Sequence, residues 1–224
     1  MMNRNSMPIG TSQVQLRQQK DFNSNKSVLH LSYDGSFNGF LTAIWHRRKM
    51  NNSQEVALQR GQAEQTSIFK TTKYILANQS IARQLWHELD KNKKPSARIA
   101  YFAYLAEKKY LNQALFNFLS QVDSARPMDP EVHKALEKAA SEVQNEKVRH
   151  EKELQLRKTN ETLWCAELHP RYDIIPLLSR HIKKKYAGCD WFIWDSKRRY
   201  GVLCQHGHCT LTKKRLHHRS ALAS

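Results

Sequence analysis

Long apolar runs are missing from this 224-residue chain. No stretch approaches the roughly 18 consecutive apolar residues that a membrane-crossing helix needs, so a helical span is excluded. Glycine is scarce, at seven, which leaves little for a phosphate-cradling loop. There is also no Gly-x-Ser-x-Gly elbow, no His-Glu-x-x-His helix and no Cys-x3-Cys-x2-Cys cradle for an iron–sulfur cluster. The four cysteines, Cys165, Cys189, Cys204 and Cys209, have no regular spacing and read as reduced thiols. The segment Met1 to Gln19 lacks the apolar run and small-residue cleavage site of a secretory signal. The expected location is the cytoplasm, and no membrane partner is expected.

Acidic residues are in short supply too. Asp and Glu total 20 against 37 Lys and Arg, giving a net charge of +17 and an isoelectric point near 9.9. Such an imbalance points to an acidic partner. With 40% hydrophobic residues the chain can still bury a core, and the length suits one domain.

Hydropathy patterning divides the chain into a flexible arm (1–27), a domain (28–207) and a basic, His-rich tail (208–224). Leu29, Leu31 and Tyr33 alternate as on a strand. Asp34-Gly35 then makes a turn, and Phe37, Phe40, Leu41 and Ile44 fall at helical spacing behind Asp34 or Ser36 as N-cap. Residues 46–66 are polar, broken at Gly61, and a short β-like run follows at 67–71. Helices are expected over 73–90, over 96–122 as one continuous element, and from Asp129-Pro130 to about Arg149. Strand-like 154–158 and 163–168 flank a turn at 159–161. Asp173 can cap a helix over 174–186, and Trp191–Trp194 and Tyr200–Cys204 read as two strands. The expected class is α+β, a small mostly antiparallel sheet covered by three or four helices.

Charge placement is the strongest chemical signal. From residue 180 onward there are eleven basic residues against two acidic ones, a net +9 of the total +17. Lys183, Lys184 and Lys185 fall at a helix C-terminus and Lys197, Arg198 and Arg199 at a hairpin tip. Cations on protruding elements displace condensed counterions from a nucleic acid, which makes these six the candidate nucleic-acid contacts. The bland alternative is that they satisfy a helix dipole and a solvated turn. Trp164, Trp191, Trp194 and Tyr200 offer stacking surfaces, although alternation along 191–194 favours burial.

The cluster Cys204-Gln205-His206-Gly207-His208-Cys209 carries zinc-type ligands but crowds them into six positions with no second pair, so no metal and no cofactor is expected. Asp34, Glu146, Glu167, His169, Asp173 and Asp195 are the polar candidates for catalysis. Asp34, Asp173 and Asp195 each have a sufficient role in a cap or turn, and whether the chain is an enzyme stays open.

Three segments carry a likeness. Tyr33-Asp34-Gly35-Ser36-Phe37-Asn38-Gly39-Phe40-Leu41-Thr42-Ala43, Pro170 to His181, and Trp191-Phe192-Ile193-Trp194-Asp195 with Arg198-Arg199-Tyr200-Gly201 resemble signature stretches of one bacterial family. It is the domain-of-unknown-function family often labelled "probable DNA metabolism protein". Its members are typically encoded beside a putative DNA-repair radical S-adenosylmethionine protein, and some are fused to a uracil-DNA glycosylase. The resemblance covers about residues 29–207 and implies a role in DNA repair beside a radical-enzyme partner. It departs at 146–157, where Glu146 and Arg149 fit but Val148, Lys152, Glu153, Gln155 and Leu156 do not, and at Tyr172-Asp173, where the family has His-Asn. Three readings follow: a DNA-binding accessory protein that docks the radical enzyme, a glycosylase- or hydrolase-like repair enzyme, and an RNA-binding or protein-interaction module.

Overall fold

A computed structural model of the chain describes residues 28–50, 54–61, 71–92, 96–121, 128–159 and 163–216. The expected arm at 1–27, most of the β-like run at 67–71, the turn at 160–161 and the end of the basic tail lie outside them. In chain order the elements are β1 (Leu29–Tyr33), α1 (Phe37–Arg48), β2 (Val56–Arg60), β3 (Thr72–Ile75), α2 (Gln79–Asn92), α3 (Ala97–Leu105), α4 (Lys109–Ser120) and α5 (Pro130–Glu153). There follow β4 (Arg157–Lys158), β5 (Leu163–Leu168), α6 (Ile175–Lys185), β6 (Asp190–Asp195), β7 (Tyr200–Gln205) and β8 (His208–Thr212).

The class is α+β, but the sheet is not one small antiparallel layer. The described residues form a three-stranded parallel sheet in the order β2-β1-β3 and a five-stranded mixed sheet in the order β4-β5-β6-β7-β8, with six helices. Within the second sheet β5 and β6 run parallel and the other pairs antiparallel. The parallel sheet escaped the sequence reading for a physical reason. In β2 only Val56 is buried, and in β3 only Ile75, so neither strand shows clean alternation. Lys73 to Ile75, expected to open a helix, is strand β3.

The strand–turn–helix of residues 29–48 is as expected. Ser36 is the N-cap of α1, its hydroxyl accepting from the Gly39 amide at 2.9 Å. Asp34 Oδ1 in turn accepts from the Ser36 amide and hydroxyl at 3.0 and 2.7 Å. Gly35 closes the turn at φ +82°, a conformation that favours glycine. Asp129 caps α5 with Pro130 at its first position.

The expected helix over 96–122 is two helices, α3 and α4, with a corner at Ala106–Lys108. Glu107 there sits at φ +56°, a left-handed conformation that costs a bulky residue free energy and persists only where its surroundings hold it. The His-rich tail begins as strand β8, and Cys204 and Cys209, directly opposed across β7 and β8, form a disulfide. The expectation of four reduced thiols is corrected for this pair, while Cys165 and Cys189 are free. Asp173 does not cap α6, whose N-cap is Ile174 with no side-chain bond.

A continuous core joins both sheets, from Leu31 and Phe40 through Leu115, Leu136 and Val143 to Ile174, Leu178 and Ile193. Helix α3 lies along α5, α1 against α2 and α4, and α6 across β6 and β7. Trp191, Phe192, Ile193 and Trp194 are all buried, so strand β6 is covered on both faces. None of the described helices is long and apolar enough to cross a membrane.

Gly39 has no room for a Cβ, because the Asp34 carboxylate and the Tyr33 ring already occupy that space. Gly39→Ala is expected to push Asp34 out of the turn and to cost about 1–3 kcal/mol. A lowered urea midpoint at unchanged m-value would report it.

Candidate functional site

At the C-terminal ends of β1 and β2 the molecule opens into a cleft of about 800 Å³, within the size range of small-ligand pockets. One wall is aromatic. Phe37 from the first turn of α1 meets Trp86 of α2 edge-on at 5.4 Å, Tyr101 of α3 at 4.7 Å and Tyr104 at 5.1 Å between ring centroids. Phe37, Trp86 and Tyr101 remain half-buried, so part of each ring borders the cleft. The opposite side is formed by Asp173, Pro176, Tyr200 and the end of β8. Arg60, Arg83 and Lys213, from three separate segments, supply cations around it.

Behind the cleft lies a charge network. The Arg198 guanidinium donates to Glu107 Oε2 through Nε at 2.8 Å and Nη2 at 2.6 Å, and to Asp195 Oδ2 through Nη1 at 2.8 Å. It also donates to the carbonyls of Pro170 and Arg171. Glu107 Oε1 accepts from Arg60 at 2.5 Å. Asp195, with its side chain fully buried, accepts further from the amides of Lys197 and Arg198. Burial works against the Arg198 charge, but the bonds to Glu107 and Asp195 outweigh it and raise its pKa. Burial likewise opposes ionisation of Glu107, and Arg198 and Arg60 reverse that, holding its carboxyl below the usual range.

Asp173 is the exception in this neighbourhood. Its side chain is 10% exposed, and burial holds its carboxyl above the usual range, opposed by the Tyr200 hydroxyl and the Arg198 charge. Tyr200 donates to Oδ1, whereas the nearest cation to Oδ2 is Arg60 Nη2 at 3.9 Å, beyond hydrogen-bond distance. The backbone around it is pinned from three sides. Buried Glu146 accepts the Arg171 and Tyr172 amides at 2.7 and 2.9 Å, Glu142 accepts the Tyr172 hydroxyl at 2.7 Å, and the Leu105 carbonyl accepts the Asp173 amide. The Tyr104 hydroxyl donates to the Gly35 carbonyl at 2.7 Å and so ties the β1–α1 turn to α3. Chemically, the cleft offers flat apolar faces, a mostly buried carboxylate with one oxygen open to a donor or a proton, and cations at its border.

The sequence-nominated cations do not form one patch. The 195–199 turn and the Gln205–His208 turn cap opposite ends of β7, roughly 17 Å apart at about 3.4 Å per residue. Lys183 donates to the Gly207 carbonyl and Lys185 to the Leu154 carbonyl, with Lys184 exposed beside them, so all three belong to the far end. Lys197, donating to the Arg171 carbonyl, and exposed Arg199 lie at the cleft end, and Arg198 is turned inward.

Of the candidates for catalysis, Asp34 and Asp173 line the cleft. Glu146 holds the loop before Asp173, Asp195 binds Arg198, Glu167 pairs with Arg215, and His169 bonds to Ser196. Sequence reasoning missed Arg60, Glu107, Arg83 and the aromatic wall. The wall residues read as core at helical spacing, whereas the turn at Asp34-Gly35 is legible both from its turn chemistry and from the likeness over Tyr33–Ala43.

Arg198→Met leaves Glu107 and Asp195 without their shared cation and is expected to cost about 3–5 kcal/mol in urea unfolding. Glu107, with its depressed pKa, contributes fully above the ordinary value of about 4.3 and loses its share as the pH falls through the depressed one. The gap between wild type and variant should therefore narrow in acid. Asp173 has the opposite sign: its ionised form costs stability above its raised pKa, a cost relieved as the pH falls through it. Asp173→Asn is expected to melt above wild type at pH 7, with the difference closing on acidification.

A family model described as a domain of unknown function, DUF4130, matches residues 99–221. The match takes in Tyr101, Tyr104, Glu107, Asp173, Arg198 and Tyr200, and leaves out Asp34, Arg60 and Trp86. No curated protein and no solved structure matches the chain. The matched segment is more than half of the 224 residues and contains the network behind the cleft, and the chain belongs to the DUF4130 family.

Proposed function

We propose that this protein binds DNA at the cleft, in an unstacked or single-stranded form, and serves DNA repair as an accessory to a radical S-adenosylmethionine enzyme. The observation that carries the DNA reading is the convergence of Arg60, Arg83 and Lys213 on a cleft with a half-exposed aromatic wall. Backbone phosphates are held by cations, and unstacked bases need flat faces to replace their neighbours. Duplex DNA would not reach the aromatic wall, because its bases face one another. The net charge of +17 supports the same reading by drawing a polyanion to the surface. The radical-enzyme partner rests on the family resemblance alone.

Fluorescence anisotropy of labelled single-stranded and duplex DNA over a salt series tests the reading. Single strands are expected to bind more tightly than duplex. Each phosphate contact on a single strand contributes about 0.7 to the log–log salt slope, so Arg83→Ala with Lys213→Ala should flatten it by about 1.4. Flattening only with the triple change of Lys183, Lys184 and Lys185 to Ala would move the DNA to the far end and overturn the cleft as its seat. Absence of binding at low salt would overturn DNA contact by this chain.

A further inference from the structure

At the cleft, Oδ2 of Asp173 receives no hydrogen bond from the described residues. A carboxylate that is nine-tenths buried and ionised costs free energy unless something donates to it. The fold satisfies the neighbouring carboxylates in full: Glu107 has two arginines, Asp195 an arginine and two amides, and Glu146 two amides. Asp173, nine-tenths buried beside the cleft, keeps one oxygen open, whereas the other carboxylate on the cleft's rim, Asp34, is exposed to water. Next to the open oxygen stands a donor, Arg60 Nη2, 3.9 Å away.

We propose that the cleft takes a single unstacked nucleobase and selects guanine. The proposal rests on the DNA reading above and adds to it the base and the atoms that read it. Guanine presents along its Watson–Crick edge an acceptor, O6, followed by two donors, N1–H and the 2-amino group. Arg60 beside the two oxygens of Asp173 presents a donor followed by two acceptors. Oδ1 already accepts from Tyr200 but keeps a second lone pair. Thymine offers acceptor, donor, acceptor, so its O2 would face a carboxylate oxygen and be repelled. Adenine and cytosine, each with one exocyclic donor, fall between. The rings of Phe37, Trp86 and Tyr101 give the base a face to lie on, and Arg83 and Lys213 are placed for its phosphate. Glu146 acts here as a positioning residue, since it fixes the two amides before Asp173.

The test uses short oligothymidylates carrying one central guanine, thymine, hypoxanthine or abasic site. The guanine strand is expected to bind about tenfold more tightly than the all-thymine strand, and the abasic strand to bind weakest. Hypoxanthine, which lacks the 2-amino donor, should lose part of the preference without any change to the protein. Asp173→Asn, which can donate to O2 and accept from N3–H, should erase the preference for guanine over thymine while keeping the advantage over the abasic strand. Equal binding of guanine and abasic strands would overturn the pocket and leave the DNA reading standing. Equal binding of guanine and thymine, both above abasic, would overturn the base reading and leave a stacking platform. If no strand binds, the DNA reading falls, and dGMP alone then decides the pocket. A melting temperature raised by dGMP and not by dTMP upholds it, and no shift with either overturns it.

Discussion

The structure around the cleft depends on one guanidinium. Arg198 joins the corner between α3 and α4, through Glu107, to the end of β6, through Asp195, and to the loop before α6, through the carbonyls of Pro170 and Arg171. These elements are far apart in sequence. A buried arginine is tolerated only when its donors are used, and here each nitrogen has a partner. Glu107 in turn brings in Arg60 from the parallel sheet, so a single charge chain connects the two sheets at the cleft. It also accounts for the backbone of Glu107, whose positive φ is the conformation that points its carboxylate at both arginines.

That network sets the electrostatics of what lies in front of it. Positive charge on Arg60 and Arg198 partly offsets the burial cost of ionising Asp173, yet leaves its carboxyl above the usual range. Tyr101, held up at about 12 by burial and by the Asp173 charge, stays neutral at physiological pH and presents an uncharged ring to the cleft. The arrangement is costly to stability at one residue and well satisfied at its neighbours. A carboxylate whose ionisation burial opposes, set beside a cleft, is one of the signs by which ligand sites are recognised.

Much of this was legible from residue order. The strand, turn and helix of residues 29–48, the Asp129-Pro130 helix start, and the β6–β7 hairpin all obey local rules of alternation, capping and turn chemistry. What escaped depended on partners distant in sequence. The corner at Glu107 has no glycine or proline, and a salt bridge to Arg198, far along the chain, holds it. Strands β2 and β3 bury one side chain each, so they take their identity from pairing with β1 and not from their own pattern. Strand β8, exposed along nearly its whole length, is defined by its ladder to β7 and by the Cys204–Cys209 bond. The site was legible only in part for the same reason. Asp34 and Asp173 read from sequence as candidates for catalysis with a sufficient role as caps, and it is Arg60, unremarkable in a polar stretch, that completes the surroundings of Asp173.

The division of the basic residues between two ends of the β7 hairpin bears on how a polyanion would engage the molecule. At physiological ionic strength the Debye length is about 8 Å, so clusters roughly 17 Å apart act nearly independently. The lysines at the C-terminus of α6 and the cations around the cleft therefore cannot be summed into one field at short range. On the reading proposed, the lysine end raises the encounter rate, and discrimination belongs to the cleft, where burial keeps interactions from being screened. A strand reaching both ends would have to follow the hairpin, across the side where Lys183 is bonded to the Gly207 carbonyl. An extended single strand can bend to that surface over a few nucleotides. Duplex DNA, with a persistence length of about 150 base pairs, bends over so short a span only at a cost.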